Sequence, residues 1–323
     1  MKLINSIVGI LILAILVVIG YKSGQMLIEL SSPITPINVS ESKFNLPEEE
    51  PQTLNLRWNH FPLTVYVDTD SVRQDTEYVD AFRGALELWQ ASTNNTVSFF
   101  VTSSPAADVT VEWVSSLKEK AMDTLGNTDI KFINISGTGL IQSADIQLLT
   151  KSGPKQLSTI DMTNLAIHEM GHALGLNHSD DENDIMHPIL VVPSKEIKGI
   201  PDKEVSRLQE IYSVEPEPDL RIIEANVSKA TVKRITTFYL INISLIIENN
   251  GLVDAISPQM AISTDGIAVK NDTLPDIQIG NSLSVTLGNL RVEKDFSAIE
   301  IMLDPNNVID ELNETNNFIN VEV

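Results

Sequence analysis

His168-Glu169-Met170-Gly171-His172-Ala173-Leu174-Gly175-Leu176-Asn177-His178 decides the fold of this chain, because it satisfies H-E-x-x-H-x-x-G-x-x-H at every specified position. Residues four apart on an α-helix share one face, so His168 and His172 can point at a single ion with Glu169 beside it. A straight helix cannot deliver a third histidine to the same compact shell. The chain must therefore turn sharply after His172, and Gly175 is the residue that takes a positive φ without steric cost. His178 then returns to the ion. Three neutral imidazoles with an open fourth position describe a catalytic zinc site rather than a closed structural one. Water at that position becomes acidic, and Glu169 is spaced to take its proton during attack on a carbonyl and return it to the leaving amine. The chain has five histidines in all, so coincidence is a poor explanation for three in this one stretch. His60 and His187 read as ordinary loop or surface residues.

The residues that follow sharpen the reading. Ser179 comes directly after the third histidine, and Met186-His187-Pro188 follows a short loop. Together these resemble the matrixin branch of the metzincin zinc proteases, which carry a serine after the third ligand and a methionine turn of the form Met-x-Pro. The resemblance implies His168, His172 and His178 as ligands of one catalytic Zn2+ and Glu169 as general base and acid. It also implies Gly175 as the turn glycine and Met186 as the apolar floor under the metal. The implied activity is hydrolysis of peptide bonds in extended protein or peptide substrates.

The resemblance runs from Leu54 to Ser213 and implies an α+β catalytic domain, a mixed twisted sheet with three helices. Arg57-Trp58 precedes a first strand in which Leu63, Val65 and Val67 alternate with other residues. Tyr78, Phe82, Ala85, Leu86 and Trp89 recur at helical spacing across Asp75 to Ala91, predicting an amphipathic helix. Ala107 to Trp113 and Gly139 to Leu148 read as strands, the latter as the sheet edge that would hold substrate by β-augmentation. The ligand-bearing helix is expected to start near Asp161 or Thr163 as N-cap, and a last helix to cover Asp202 to Tyr212.

Two features depart from many matrixins. With no cysteine in the chain, latency through a thiolate on the zinc is excluded. With no histidine between Trp113 and Asp161, a second, structural zinc has no ligands there. Ca2+ is a candidate for the loop Ser179 to Asp184, where Asp180, Asp181, Glu182 and Asp184 supply oxygens, against the alternative of a solvated acidic loop.

The apolar segment Leu3 to Tyr21 is long enough to span a bilayer, and no small-residue cleavage site follows it. Residues 1–23 are therefore expected to be an uncleaved transmembrane anchor, with a removed signal peptide as the alternative. Either exports the rest, giving a single-pass cell-membrane protein with an extracellular catalytic domain or a secreted one. Residues 24–53, with Pro33, Pro36, Pro47, Pro51 and Glu48-Glu49-Glu50, read as a stalk or a short prosegment.

Glu215-Pro216-Glu217-Pro218 within 214–218 is a stiff acidic linker. Beyond it, Arg221 to Val227, Phe238 to Ile247, Gln259 to Ser263, Ser282 to Leu287, Ala298 to Leu303 and Phe318 to Val323 read as strands. Turns are expected at Asn249-Asn250-Gly251 and Thr264-Asp265-Gly266. This outlines a β-sandwich over 219–323. Asp304-Pro305-Asn306-Asn307-Val308-Ile309-Asp310-Glu311 with Asn313-Glu314-Thr315-Asn316-Asn317 resembles the end of CARDB-type immunoglobulin-like domains, which implies surface or substrate binding, with a plain spacer as the alternative.

A net charge of −22 argues against nucleic acid as a partner. The chain is thus expected to be an exported zinc endopeptidase. The competing expectation is a catalytically silent surface adhesion protein working through its β-sandwich. The retained Glu169 speaks against that alternative.

Overall fold

The computed structural model describes residues 55–72, 76–117, 125–152, 155–233 and 237–323. The expected membrane anchor and stalk lie outside these residues. Among the described residues no helix is long and apolar enough to cross a membrane. The chain divides into two compact units between Pro216 and Glu217.

The first unit is built on a sheet of β1 (Asn55–Arg57), β2 (Leu63–Val67), β3 (Phe99–Thr102), β4 (Val109–Val114), β5 (Gly126–Ile135) and β6 (Thr138–Leu149). Leu63, Val65, Val67, Val109, Val111 and Trp113 are buried in strict alternation with half-buried neighbours, the pattern of a strand with one face on a core. β3, β2, β4 and β6 run parallel, and β5 pairs antiparallel with β6. Helix α1 (Thr76–Ser92) lays Tyr78, Phe82, Ala85, Leu86 and Trp89 onto this core, one residue away at each end from the expected span.

β6 is not the sheet edge. β1 and β4 occupy one side of it, and β5 covers the other from Thr138 to Leu148. The edge strand beside β6 is β5, for which the sequence reading held no expectation. Its apolar residues, Ile130, Phe132, Ile133 and Ile135, slip out of alternation because the ladder shifts register between Lys131 and Phe132.

The motif helix α2 (Thr159–Ala173) also starts earlier than expected. Ser158 is the N-cap, and its side chain and that of Asp161 satisfy each other's backbone N–H in a capping box worth about 0.5–2 kcal/mol. Asp161 therefore sits at the third helical position instead of the cap. Strands β7 (Lys151–Ser152) and β8 (Lys155–Gln156) pair as a short antiparallel ribbon ahead of α2, and helix α3 (Asp202–Ile211) closes the unit.

The second unit is a sandwich of two antiparallel sheets. One joins β9 (Leu220–Lys233), β10 (Thr237–Asn249) and β13 (Ser282–Val292). The other joins β11 (Gln259–Thr264), β12 (Ile267–Thr273), β14 (Ala298–Leu303) and β15 (Phe318–Glu322). Strand β12 was not foreseen, since its alternation is masked by Lys270, Asn271 and Asp272. The turn before it, Asp265-Gly266, takes positive φ at both residues, as a tight hairpin requires. Ile241, Ile243, Leu245, Ile247, Ile262, Ile299 and Ile301 meet between the sheets.

Candidate metal centre

The end of α2 builds the site. A helix leaves its last four carbonyls without partners, and here all four are met. Leu176 N–H donates to the Gly171 carbonyl at 3.0 Å and Gly175 N–H to that of His172 at 2.8 Å, the paired bonds of a Schellman turn. Trp58 Nε1 caps the Ala173 carbonyl at 2.8 Å, and the Tyr212 hydroxyl caps that of Leu174 at 2.9 Å. Gly175 has φ +95°, and a Cβ there would collide with the Leu56 carbonyl oxygen, so glycine is required on two counts. Trp89 Nε1 holds the helix from the α1 side through the Ile167 carbonyl at 3.0 Å.

The turn then orients the ligands. His172 Nδ1 lies 2.8 Å from the Leu176 carbonyl, and His168 Nδ1 2.7 Å from the Ile185 carbonyl. Carbonyls only accept, so each Nδ1 carries the ring proton and each Nε2 presents a lone pair. The two Nε2 atoms face each other at 3.1 Å. Burial and the neighbouring imidazole push His172 down to about 3, and burial pushes His168 down as well, so both rings are neutral at pH 7. Two converging lone pairs repel unless a cation lies between them. His178 completes the set, with one nitrogen of each ring within 4.8 Å of the others. This donor chemistry fits zinc.

Glu169 is buried beside the trio. Thr128 Oγ1, on the edge strand, donates to its carboxylate at 2.7 Å and lies 3.0 Å from its backbone carbonyl. At Gly126, also on β5, a Cβ would collide with the same carboxylate. Met186 is fully buried beneath the motif helix, where a Cβ at Gly171 would strike its sulfur. The methionine-containing turn is tied back to the motif by Ser179 N–H donating to the Met186 carbonyl at 2.9 Å.

The acidic loop does not present a free oxygen cage. Asp184 is turned inward, accepts from Met186 N–H at 3.0 Å, and meets Lys203 Nζ at 2.7 Å. Lys203 also donates to Ser179 Oγ at 2.9 Å, while Lys198 Nζ reaches the Asp184 carbonyl at 3.2 Å. Lys203 thus pairs with Asp184 and Asp181, two of the four carboxylates of the loop for which calcium was a candidate and a solvated acidic loop the alternative. Thr128, Gly126, Lys203 and Asp161, which holds Ser194 N–H at 2.6 Å, were not foreseen as site residues. Each meets its partner across 19 or more positions of sequence, which no local spacing displays.

A family model described as Matrixin matches residues 57–213, and one described as CARDB matches 217–321. Residues 57–213 are a matrixin domain, and residues 217–321 are a CARDB domain. Karilysin of Tannerella forsythia is 29% identical over 143 residues, covering 41% of this chain and 29% of that protein. Matrix metalloproteinase-16 of Mus musculus is 25% identical over 180 residues, covering 53% of this chain and 30% of its own length. The chain therefore spans under a third of either relative. A solved CARDB domain from Pyrococcus furiosus, described as in complex with di-metal ions, covers 33% of this chain and 89% of its own. It is 20% identical with a TM-score of 0.25 and transfers no position to this chain. The matrixin match supports a zinc metalloendopeptidase.

Proposed function

We propose that this chain is an exported zinc endopeptidase, tethered to the cell membrane by its N-terminal segment, that cleaves peptide bonds in extended protein chains. The observation that carries it is the convergence of His168, His172 and His178 on one point beside a buried, hydrogen-bonded Glu169.

His168, His172 and His178 would hold the zinc through the nitrogens that face one another. When bound, zinc supplies Lewis acidity to the scissile carbonyl and to water. Glu169 takes the proton of the attacking water and delivers it to the leaving amine, while Thr128 Oγ1 fixes the carboxylate's direction. The edge strand β5 offers unpaired backbone groups to an extended substrate, whose side chains then alternate toward and away from the protein.

The test is digestion of an unfolded protein mixture by the zinc-loaded chain and by Glu169→Ala carrying the same single zinc. Bonds cut by the first and at least about a hundredfold more slowly by the second support the reading, as expected for loss of a general base. Equal inactivity of both zinc-loaded proteins would refute it and leave a surface-binding role.

A further inference from the structure

Four buried side-chain oxygens in the described residues have no hydrogen-bond partner: Asp184 Oδ2, Asp272 Oδ2, Asp304 Oδ1 and Asn316 Oδ1. The first two are accounted for by ammonium groups, Lys203 Nζ at 2.7 Å and Lys270 Nζ at 3.0 Å. Asp304 Oδ1 and Asn316 Oδ1 have neither a donor nor a cation. Asp304 is 5% exposed, and leaving a carboxylate oxygen bare in that setting is costly.

Their places in the chain bring these atoms to one end of the sandwich. Leu303 N–H donates to the Asn317 carbonyl at 2.8 Å, so Asp304 and Asn316 flank the point where β14 and β15 part. Asp304 Oδ2 accepts from Ile309 N–H at 2.7 Å, and Asn316 Nδ2 donates to Asp219 Oδ1 at 2.8 Å, which leaves Asp304 Oδ1 and Asn316 Oδ1 without a donor. Glu311 is buried there, accepting from Leu220 N–H and from Asn317 Nδ2, and Glu314 accepts from Glu311 N–H. No ion pair among the described residues involves Asp219, Asp304, Glu311 or Glu314. Burial, with the Glu314 and Asp304 charges beside it, pushes Glu311 up to about 7.

We propose that the CARDB domain holds a divalent cation of the calcium class where β14 and β15 part, with Asp304 Oδ1 and Asn316 Oδ1 as ligands inside the negative field of Asp219, Glu311 and Glu314. The donors are all oxygen, which selects a hard cation over zinc. The site is no carboxylate cage, since the histidine trio is the one described group of three such ligand atoms within 4.8 Å. One carboxylate oxygen and one amide oxygen leave the remaining positions to backbone carbonyls and water, which calcium's flexible coordination accepts.

The test is calcium titration by calorimetry into the full chain, Glu169→Ala throughout to prevent self-digestion, freed of calcium with EGTA, dialysed free of the chelator and then loaded with one zinc, beside a thermal scan with and without calcium. Saturable binding is expected, with an upward shift of an unfolding transition, weakened at least about tenfold in Asp304→Asn. Glu314→Gln, at an exposed position that tolerates the change, is expected to weaken it in the same sense, and Asp180→Asn in the catalytic unit to leave it unchanged. No saturable calcium binding, equal shifts with magnesium alone, or binding that survives Asp304→Asn and Glu314→Gln would overturn the proposal. So would a calcium-insensitive chain that Asp304→Asn stabilises, because the cluster would then be handling its charge by protonation.

Discussion

The two domains bury the same kind of problem in opposite chemical forms. In the catalytic domain, three imidazole rings converge, and His168 and His172 turn their protons away toward backbone carbonyls, so this pair is neutral and offers its lone pairs to a Lewis acid. In the CARDB domain, Asp304, Glu311 and Glu314 pair with no lysine or arginine among the described residues, so the side chains there are acidic and unbalanced. Nitrogen donors on a helix inherit their geometry from the 3.6-residue repeat. Oxygen donors in a turn between strands inherit theirs from an irregular backbone. The first arrangement is rigid and selects a borderline-soft ion, and the second adapts to a hard one.

The sharpest way to break the contrast is to disturb the catalytic geometry without touching a ligand. Gly175→Ala forces a side chain into positive φ, about 1–3 kcal/mol of strain, and drives its Cβ into the Leu56 carbonyl. Because the Leu176 carbonyl that orients His172 lies in the same turn, zinc retention is expected to fall together with the catalytic domain's unfolding temperature. The CARDB transition should not move. Calorimetry with zinc analysis checks this, and an unchanged zinc content at a lowered melting temperature would show that the turn serves stability alone.

The contrast also explains what the sequence revealed. The convergence of His168, His172 and His178 and the turn at Gly175 were legible because an i, i+4 pair and an obligatory glycine follow from local geometry, whereas Met186 was singled out only by the resemblance. The core strands β2 and β4 and helix α1 were legible from alternation and helical spacing. The edge strand β5 was hidden by a register shift that breaks its alternation, and its two contributions, Thr128 and Gly126, depend on pairing with a distant helix. The loop Ser179 to Asp184 left calcium and a solvated acidic loop both open for a related reason. Its spacing does not display Lys203, which comes from the following helix and pairs with Asp184. At Asp304 the same style of acidic turn has no such lysine, and spacing alone could not tell the two apart.

A second, smaller effect probes how much of the catalytic site is preorganised from the sheet. Thr128→Val keeps the shape of the side chain and removes the hydrogen bond to Glu169, one to a charged acceptor and so worth about 1.5–3 kcal/mol where it is fully formed. Peptide cleavage is expected to fall roughly tenfold, by the same scale, with zinc content intact and the acidic limb of the pH–rate profile displaced. Thr128→Ser should restore both. Recovery of rate without recovery of the profile would mean that Thr128 supports packing and not the carboxylate.

The smallest effect is the most diagnostic, because its sign differs between the domains. In the metal-free chain the imidazoles of His168 and His172 are held below their ordinary value of 6.5, His172 at about 3. The unfolded chain therefore binds protons that the folded domain refuses, and stability of the catalytic domain declines as pH falls below about 6.5. Glu311 behaves oppositely. Its folded pKa of about 7 lies above the ordinary 4.5, so the folded CARDB domain binds a proton that the unfolded chain has released. Stability of that domain thus rises as pH falls from about 7 toward 4.5 and is lowest above 7. Thermal scans of the metal-free Glu169→Ala chain at pH 7.5 and 5.5 are expected to move the two transitions in opposite directions. Calcium at pH 7.5 should raise the CARDB transition and flatten its pH dependence, since the cation then balances the charge that the proton balanced before. Transitions that shift together on acidification would remove the difference between a neutral nitrogen site and a charged oxygen site.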